Sequence, residues 1–426
     1  MTVNEAKKYI TSGALDEKLS ELYGEERTLG ARARYLGAVD EFGRIYGEDR
    51  CVSIFSIPGR SELSGNHTDH NGGKVIAAAV DLDIIVVASA CAGSVVRFVS
   101  EGYDANCVDF DSYAFPKSEK YGTTESIIAG VLSGMNVGGY KIGGFDAYAT
   151  SNVLSGSGLS SSAAFENAVG TVINHFYNNG AIDGVTVARI SQYAENEFFG
   201  KPCGLMDQIA CSVGGAVTID FEDPKSPRVE KLETDVFEGY SLCIVDTGGS
   251  HADLTADYAA VPSEMKSVAA YFGKKNLRAL SRDQVIAEIP ALRGEVGDRA
   301  IMRAIHFFDE NDRVDSQVKA IKDKDADGFL RGVLASGRSS FCYLQNVFAP
   351  KDPSEQGVSL ALCVAESYLK NKKAAYRVHG GGFAGTVQAF VPTAYAEEFA
   401  ATMDAALGKG ACHILKIRNA GAERIF

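Results

Sequence analysis

Residues 155–164 are SGSGLSSSAA, and they lead directly into FENAVGTVINHFY at residues 165–177. Apolar residues recur in the second segment at the three- and four-residue spacing that is typical of an amphipathic helix. They are Phe165, Val169, Val172, Ile173 and Phe176. The sequence therefore predicts a Gly/Ser loop that opens onto the N-terminus of a long helix. Such a terminus attracts anions, because its first N–H groups are unpaired and the helix dipole is positive there.

The composition of this loop favours a phosphate ligand. Small residues let phosphate oxygens approach the backbone, and the serines add hydroxyl donors or a ligand for Mg²⁺. The loop is not a Walker A motif, since no GxxxxGK[ST] pattern occurs in the chain. The alternative interpretation is a Ser/Gly helix cap with no ligand.

A second polar segment, IPGRSELSGNHTDHNGG, covers residues 57–73 and is predicted to be a loop. It combines glycines with many hydrogen-bonding side chains, namely Arg60, Glu62, Asn66, His67, Asp69, His70 and Asn71. Asp accepts from two hydroxyls, while His and Asn can donate and accept, so a hydroxyl-rich ligand suits the segment. A solvated turn is one alternative. A metal on His67, Asp69 and His70 is another, although the i,i+4 spacing of helical zinc motifs is missing.

Two further segments are candidates for a site. HGGGFAG at residues 379–385 satisfies GxGxxG, but the following TVQAFVP predicts a strand where a dinucleotide-binding fold needs a helix. A glycine-rich hairpin tip near a ligand is therefore favoured over a dinucleotide site, with a plain β-turn as the alternative. In AENEFFGKPCGLMDQIA, residues 194–210, Asp207 lies among apolar residues. It is either a helix cap or a buried acid with a chemical task.

Composition narrows the function classes. The 426 residues carry a formal charge of −13, which argues against a basic groove for nucleic acid. Nine cysteines without a CxxC pair argue against a disulfide framework or a zinc ribbon and favour reduced thiols. The N-terminus has no apolar leader, and the most apolar stretch, 75–96, is interrupted by Asp81 and Asp83. We expect a cytoplasmic protein without a membrane span.

The pattern along the chain indicates two halves. Helical spacing dominates the first fifty residues, and CVSIFSIPGR, residues 51–60, predicts a strand that ends at Pro58-Gly59. Further strands follow up to about residue 115, and residues 260–375 are mainly helical. A composition shift near residue 235 predicts domains 1–235 and 236–426.

Together these motifs resemble the galactokinase family of the GHMP kinase superfamily. The segments at 57–73 and 202–208 are similar to the signatures of the family itself, while those at 155–164 and 379–385 are similar to superfamily motifs. The resemblance implies an α+β fold of two domains. The first is a mixed α/β N-terminal domain and the second a ferredoxin-like C-terminal domain, with the site between them.

The resemblance also implies an activity: ATP-dependent phosphorylation of the anomeric hydroxyl of galactose, giving galactose 1-phosphate and ADP. The implied catalytic residues are Asp207 and its partner Arg60. The implied sugar-binding residues are Asn66, His67, Asp69, Cys203, Gly204 and Tyr258. The implied phosphate-binding residues are Gly156, Ser157, Gly158, Leu159, Ser160, Ser161 and Ser162. Ser161 and Glu195 are the implied ligands of Mg²⁺. The expected partners are a small-molecule sugar and a nucleotide, with the chain a monomer.

Departures from the family pattern leave the sugar open. Asn66 stands where the family usually has Glu near the C6 hydroxyl, and Glu62 stands where Asn is usual. His70, His379 and Ala384 also differ from the common residues. Loss of the carboxylate at Asn66 could favour galacturonate, whereas Glu62 could restore the charge by an exchange of positions. The pattern is also compatible with N-acetylgalactosamine or arabinose as the sugar, and with a non-catalytic sugar sensor.

Overall fold

The computed structural model describes residues 1–112, 121–154, 158–249 and 254–426. Three helices come first and confirm the helical prediction for the N-terminus. They are α1 (Val3–Thr11), α2 (Asp16–Tyr23) and α3 (Thr28–Tyr46). Within the described residues, no helix is long and apolar enough to cross a bilayer.

A large sheet follows, and its centre is one long apolar strand. The strands are β1 (Ser53–Ser64), β2 (Lys74–Cys91), β3 (Val95–Ser100), β4 (Asn106–Asp109), β5 (Gly144–Ser151), β6 (Ala216–Asp220), β7 (Arg228–Leu232) and the C-terminal β12 (Glu423–Arg424). Their order is β12-β1-β2-β5-β3-β4, with β6 beside β2 and β7 beside β6. Only the β3–β5 pair is parallel among these described strands. The short strands β7 and β12 have no counterpart in the sequence predictions.

Strand β1 runs further than the sequence predicts. It continues through Pro58 and Gly59 to Ser64, so the strand end predicted at Pro58-Gly59 is wrong and the loop starts only at Gly65. The pairing with β2 shifts register between Pro58 and Arg60. A bulge there tolerates a proline, which has no N–H for the ladder. The chain therefore carries Arg60 inside a strand, on a rigid part of the fold.

Helices cover both faces of this sheet. Those that follow β4 in the chain are α4 (Thr124–Val137), α5 (Ser161–Tyr177), α6 (Gly184–Tyr193) and α7 (Met206–Val213). They share a core with one face of the sheet, including Phe55 and Val86. The opposite face, with Ile54 and Val87, packs against α1, α2 and α3. This alternation of neighbouring residues between two cores follows from the two-residue period of a strand.

The second sheet has ferredoxin-like topology. Its strands are β8 (Tyr240–Asp246), β9 (Ala375–Val378), β10 (Thr386–Pro392) and β11 (Cys412–Leu415). They are ordered β11-β8-β10-β9 with antiparallel neighbours. One face packs on α13 (Gly357–Leu369) and α14 (Ala396–Leu407). This βαββαβ arrangement is the one that the resemblance implied.

Among the described residues between β8 and α13, five α-helices confirm the helical character expected of residues 260–375. They are α8 (Thr255–Tyr271), α9 (Arg282–Ala287), α10 (Ile289–Glu295), α11 (Asp298–Lys322) and α12 (Ala326–Ser339). The division into domains 1–235 and 236–426 stays a prediction, and β12 crosses it by returning to the first sheet.

A buried carboxylate joins the N-terminal helices and the C-terminal tail to the first sheet. Asp83 accepts hydrogen bonds from the hydroxyls of Tyr23 and Ser56. It also pairs with Arg34 Nη1 at 3.0 Å and with Arg418 Nη1 at 3.4 Å. Asp83 and Arg418 are both buried, so each charge depends on the other for compensation.

We expect Asp83→Asn to lower the free energy of unfolding by about 3–5 kcal/mol, the usual cost of removing one partner of a buried ion pair. Urea unfolding followed by circular dichroism measures this loss. Asp323→Asn is the matched control, because Asp323 pairs with Lys319 on the surface. If both variants unfold at the wild-type midpoint, the Asp83 cluster does not hold these parts together.

Candidate active site

An arginine–aspartate pair brings together three of the motifs found in the sequence. Arg60 lies on β1, and Asp207 lies in the first turn of α7. Arg60 donates from Nε to Oδ1 of Asp207 at 2.7 Å and from Nη2 to Oδ2 at 2.6 Å. Its Nη1 donates to the carbonyl of Gly158, and the Ser160 hydroxyl donates to Asp207. All three guanidinium nitrogens of Arg60 are thus engaged.

The pair keeps Asp207 ionised. Burial raises the pKa of this carboxyl, but the charge and hydrogen bonds of Arg60, with a further bond from Ser160, outweigh burial and lower the pKa below its ordinary value. The side chain of Arg60 is 9% exposed, whereas that of Asp207 is 33% exposed. Asp207 is therefore a charged proton acceptor that a ligand can still reach.

The Gly/Ser loop leads into a helix, as the sequence predicts. Helix α5 begins at Ser161, and the preceding Ser160 has a φ of 54°, in the left-handed region. Gly156 and Ser157 lie outside the described residues. Leu159 is buried in the core, where it anchors the loop, and its carbonyl accepts from the Arg60 N–H at 3.1 Å. The start of α5 is thereby fixed beside Arg60 and Asp207.

A cavity of about 400 Å³ lies at the N-terminus of α5. Its polar end includes Ser161, Ser162, Glu166 and Glu195. Its apolar wall includes Ile84, Ile127, Val153, Phe165 and Phe199. No lysine or arginine is among the described residues that line it. The cavity thus combines hydroxyls and carboxylates with an apolar surface large enough for a planar ring.

Two carboxylates at this cavity are joined by one amide. Gln208 Nε2 donates to Oε2 of Glu166 at 3.1 Å and to Oε2 of Glu195 at 3.0 Å. Burial, with the nearby charge of Glu195, raises the pKa of Glu166 well above its ordinary value. Glu166 Oε1 is buried and makes no hydrogen bond to the described protein.

This donor set fits Mg²⁺. Carboxylate and hydroxyl oxygens are the ligands that Mg²⁺ takes, and it commonly completes its shell with substrate phosphates. Across the described residues no cluster of three or more His, Cys, Asp or Glu could bind a metal alone. Glu166 is missing from the sequence predictions, although an acid on the apolar face of an amphipathic helix could have revealed it.

The 57–73 segment meets the 202–208 segment through Asp69 and Gly204. A Cβ placed on Gly204 would lie only 2.6 Å from Asp69 Oδ2, so a side chain at this position would displace that carboxylate. The neighbouring Cys203 donates its N–H to Asn196 Oδ1 at 2.7 Å. The structure therefore brings the carboxylate of Asp69 against the loop that leads to Asp207.

His67 and Tyr258 both contact the 379–385 turn, which joins β9 to β10 as the sequence predicts. The ring Nε2 of His67 lies 2.8 Å from the Gly381 carbonyl. Burial lowers the pKa of His67 to about 4, so the ring is neutral and Nε2 carries the proton that it donates. The hydroxyl of Tyr258 donates to the Gly382 carbonyl at 2.8 Å. Because Nε2 of His67 already donates to Gly381, it is not free to bind a metal in the alternative site on His67, Asp69 and His70.

Asn66 takes a different part from the one that the sequence predicts. Its side chain is buried, and Nδ2 donates to the Gly380 carbonyl at 2.6 Å and to Glu62 Oε1 at 3.2 Å. Its Oδ1 accepts from Ser340 Oγ at 3.1 Å and from Asn346 Nδ2 at 2.9 Å. Asn66 therefore has no polar atom left for a substrate.

Glu62 is also held by the protein. Its Oε1 accepts from Arg377 Nη2 at 2.8 Å, and both side chains are buried. Burial raises the pKa of Glu62, and the charge of Arg377 opposes that rise. The pair fixes the carboxylate to β9 of the second sheet.

Comparison with known proteins identifies the family. Residues 40–90 match the galactokinase galactose-binding signature, and residues 126–215 match the N-terminal domain of GHMP kinases. The galactokinase of Streptomyces coelicolor is 30% identical over 400 residues, which cover 91% of this chain and 98% of the relative. This chain belongs to the galactokinase family. The galactokinase of Clostridium tetani is 28% identical over 353 residues, or 82% of this chain and 86% of the relative.

Solved structures of the GHMP kinases share the fold. The crystal structure of Lactococcus lactis galactokinase complexed with galactose gives a TM-score of 0.75 at 23% identity, covering 90% of this chain and 98% of that one. A mevalonate kinase gives 0.57 at 15% identity, covering 85% and 99%. The GHMP kinase fold expected for a galactokinase family member is confirmed.

The charges of the cavity predict that ATP binds only with Mg²⁺. Its described lining holds carboxylates and no lysine or arginine, and the nearby Lys201 already pairs with Glu195 at 3.1 Å, so polyphosphate without metal finds little compensating charge. Isothermal titration should show affinity for ATP falling at least about tenfold when EDTA removes the metal, and a similar loss in Glu195→Gln.

Glu101→Gln is the control for that titration. Glu101 lines the same cavity but accepts a hydrogen bond from Thr150, away from the Gln208-linked carboxylates. This variant should keep the Mg²⁺ dependence of the wild type. Equal affinity for ATP with and without Mg²⁺ in the wild-type protein would contradict the assignment of the polar end to a metal.

Proposed function

We propose that this chain transfers the γ-phosphoryl group of ATP to the anomeric hydroxyl of galactose, giving galactose 1-phosphate and ADP. The observation that carries the proposal is the bidentate Arg60–Asp207 pair at the N-terminus of α5. Membership of the galactokinase family supports it, as does the likeness to a galactokinase solved with galactose.

Asp207 acts as the general base in this proposal. Its lowered pKa keeps it ionised, so it can take the proton of the anomeric hydroxyl as that oxygen attacks phosphorus. Arg60 holds the carboxylate in one orientation and offsets negative charge that develops on the transferring group. Phosphoryl transfer requires mainly positioning and charge compensation, so few chemical groups suffice.

The nucleotide phosphates would bind at the start of α5, on the backbone and hydroxyls of the predicted phosphate-binding residues. Unpaired N–H groups and the helix dipole attract them there. Ser161, Glu195 and Glu166 would hold Mg²⁺, which supplies charge neutralisation to the phosphates. The adenine ring of ATP would lie against the apolar wall that contains Ile127 and Phe165.

The sugar would lie on the other side of Asp207. The carboxylate of Asp69 accepts from sugar hydroxyls, and the neutral ring of His67 orients the turn that faces them. Gly204, Cys203 and Tyr258 stay predicted contacts of the sugar. Asn66 is left out of this set, because protein groups use all of its hydrogen-bonding positions.

No observation favours the other sugars. Arg377 compensates Glu62, which removes the repulsion of a galacturonate carboxylate by that residue. However, galacturonate would also need a donor, and both N–H groups of Asn66 are already used. A non-catalytic sensor is not favoured either, since Arg60 and Asp207 are in direct contact.

The remaining properties follow as proposals from composition. The nine cysteines are free, which suits a reducing cytoplasm. The net charge of −13 disfavours nucleic acid as a partner. We take the chain to be a monomer that binds a small-molecule sugar and a nucleotide.

Removal of either member of the pair should abolish most turnover. Asp207→Ala and Arg60→Ala should each lower kcat by about 10²–10⁴, the usual size of general-base and charge-stabilising contributions. Binding of Mg-ATP should stay nearly intact, because neither residue is expected to contact the adenine ring. ADP release gives kcat, and titration gives the affinity.

Asp298→Ala, which breaks the surface pair with Arg293, is the control. An Asp207→Ala enzyme with more than about a tenth of wild-type kcat would show that Asp207 is not the base.

The sugar preference is tested with galactose and galacturonate side by side. The wild type should have the higher kcat/KM for galactose. Asn66→Glu should lower kcat/KM for both sugars, because it places a second carboxylate beside Glu62 and the Gly380 carbonyl. A wild type that prefers galacturonate, with Asn66→Glu reversing that order, would overturn the choice of sugar but keep the kinase.

A further inference from the structure

We propose that His379 is a positioning residue, which holds the Arg60–Asp207 pair in its productive geometry from the second sheet. The inference rests on the proposed kinase function. His379 follows β9 directly and opens the 379–385 turn, and its side chain is 2% exposed. A buried histidine needs partners for both ring nitrogens, and those partners lie on elements from both sheets.

The two ring nitrogens have distinct partners. Nδ1 lies 2.9 Å from Thr386 Oγ1 on β10, and Nε2 lies 3.1 Å from Ser61 Oγ on β1. Gln388 Nε2 donates to the same Ser61 oxygen at 2.9 Å. Because that oxygen accepts from Gln388, its own proton is free to go to His379 Nε2, and Nδ1 then carries the ring proton toward Thr386.

The ring also packs on the loop that holds Arg60. A Cβ placed on Gly158 would lie 3.2 Å from His379 Nδ1 and 3.3 Å from its Cε1. The carbonyl of Gly158 accepts from Arg60 Nη1, and Ser61 is the residue next to Arg60 on β1. His379 therefore bonds to Ser61, which follows Arg60 on β1, and lies beside Gly158, whose carbonyl accepts from the guanidinium.

The charge state of the His379 ring suits a residue that positions other groups rather than one that transfers a proton. Burial, with the positive charges of Arg60 and Arg377, lowers the pKa of His379 well below its ordinary value, and the charge of Asp207 opposes that fall. A neutral ring does not compete with Arg60 for Asp207. Both of its nitrogens are committed to neutral hydroxyls.

The expected consequence is a loss of rate without a loss of binding. Small displacements of catalytic groups can cost up to about 100-fold in rate even when substrates still bind. If His379 only filled space, its removal would instead lower stability and weaken both substrates together. The split between kcat and KM therefore separates positioning from a purely structural role.

The test compares His379→Leu and His379→Asn with the wild type, using galactose and Mg-ATP. His379→Leu should lower kcat about 10- to 100-fold while each KM changes less than about threefold. His379→Asn keeps a donor near the Nδ1 position and should recover part of that kcat. The loss should be equal at pH 6.5 and pH 8.5, because the ring is neutral at both. His175→Asn, on α5 with its ring against Phe55, is the control and should keep wild-type kcat.

Two results would overturn the inference while the wild type phosphorylates sugar. One is an unchanged kcat in His379→Leu. The other is a parallel rise of both KM values with a lowered melting temperature and no recovery in His379→Asn, which would mark His379 as structural only. A wild type that phosphorylates none of the sugars would instead overturn the proposed function, and with it the reason to position the pair.

Discussion

The bidentate ion pair between Arg60 and Asp207 is the constraint around which the site is arranged. Two charges held largely away from water must be compensated at close range, and that fixes both partners in space. β1 supplies the arginine from within a strand, and α7 supplies the aspartate from its first turn. The loop before α5 completes the cluster with the Gly158 carbonyl and the Ser160 hydroxyl. Arg60 thus forms one cluster with Gly158 and Asp207, which are 98 and 147 residues away in sequence.

The second sheet also contacts this cluster. Its 379–385 turn receives His67, Asn66 and Tyr258, and it contributes His379 to β1. Many of these bonds use backbone carbonyls of glycines, whose lack of side chains leaves room for the approaching groups. The site therefore depends on the packing of the two sheets, and not on one loop alone.

Local patterns were enough to predict much of the fold. The start of α5 at Ser161 follows from a Gly/Ser loop and a clear helical period, and both are local features. The end of β1 was predicted wrongly because Pro58-Gly59 is a turn signal, and only pairing with β2 shows that a bulge absorbs it. The strands β7 and β12 are too short for a period to reveal, and β12 forms only through pairing with β1.

The sequence motifs predict which segments come together better than they predict the contacts between them. Motif resemblance pointed to Arg60 and Asp207, and the structure places them in contact. It could not show that Asn66 is fully bonded, because Ser340, Asn346 and Gly380 are hundreds of residues away in sequence. Glu166 has no motif to mark it, and its importance appears only when Gln208 joins it to Glu195.

In the proposed function, the start of α5 binds the phosphates while Asp207 takes the proton of the sugar hydroxyl. A crystal structure with a non-hydrolysable ATP analogue, Mg²⁺ and galactose tests it most directly. We expect phosphate oxygens on the backbone N–H groups at the start of α5, with the anomeric oxygen within hydrogen-bond distance of Asp207. Phosphates bound at the 379–385 turn, with the start of α5 empty, would contradict it.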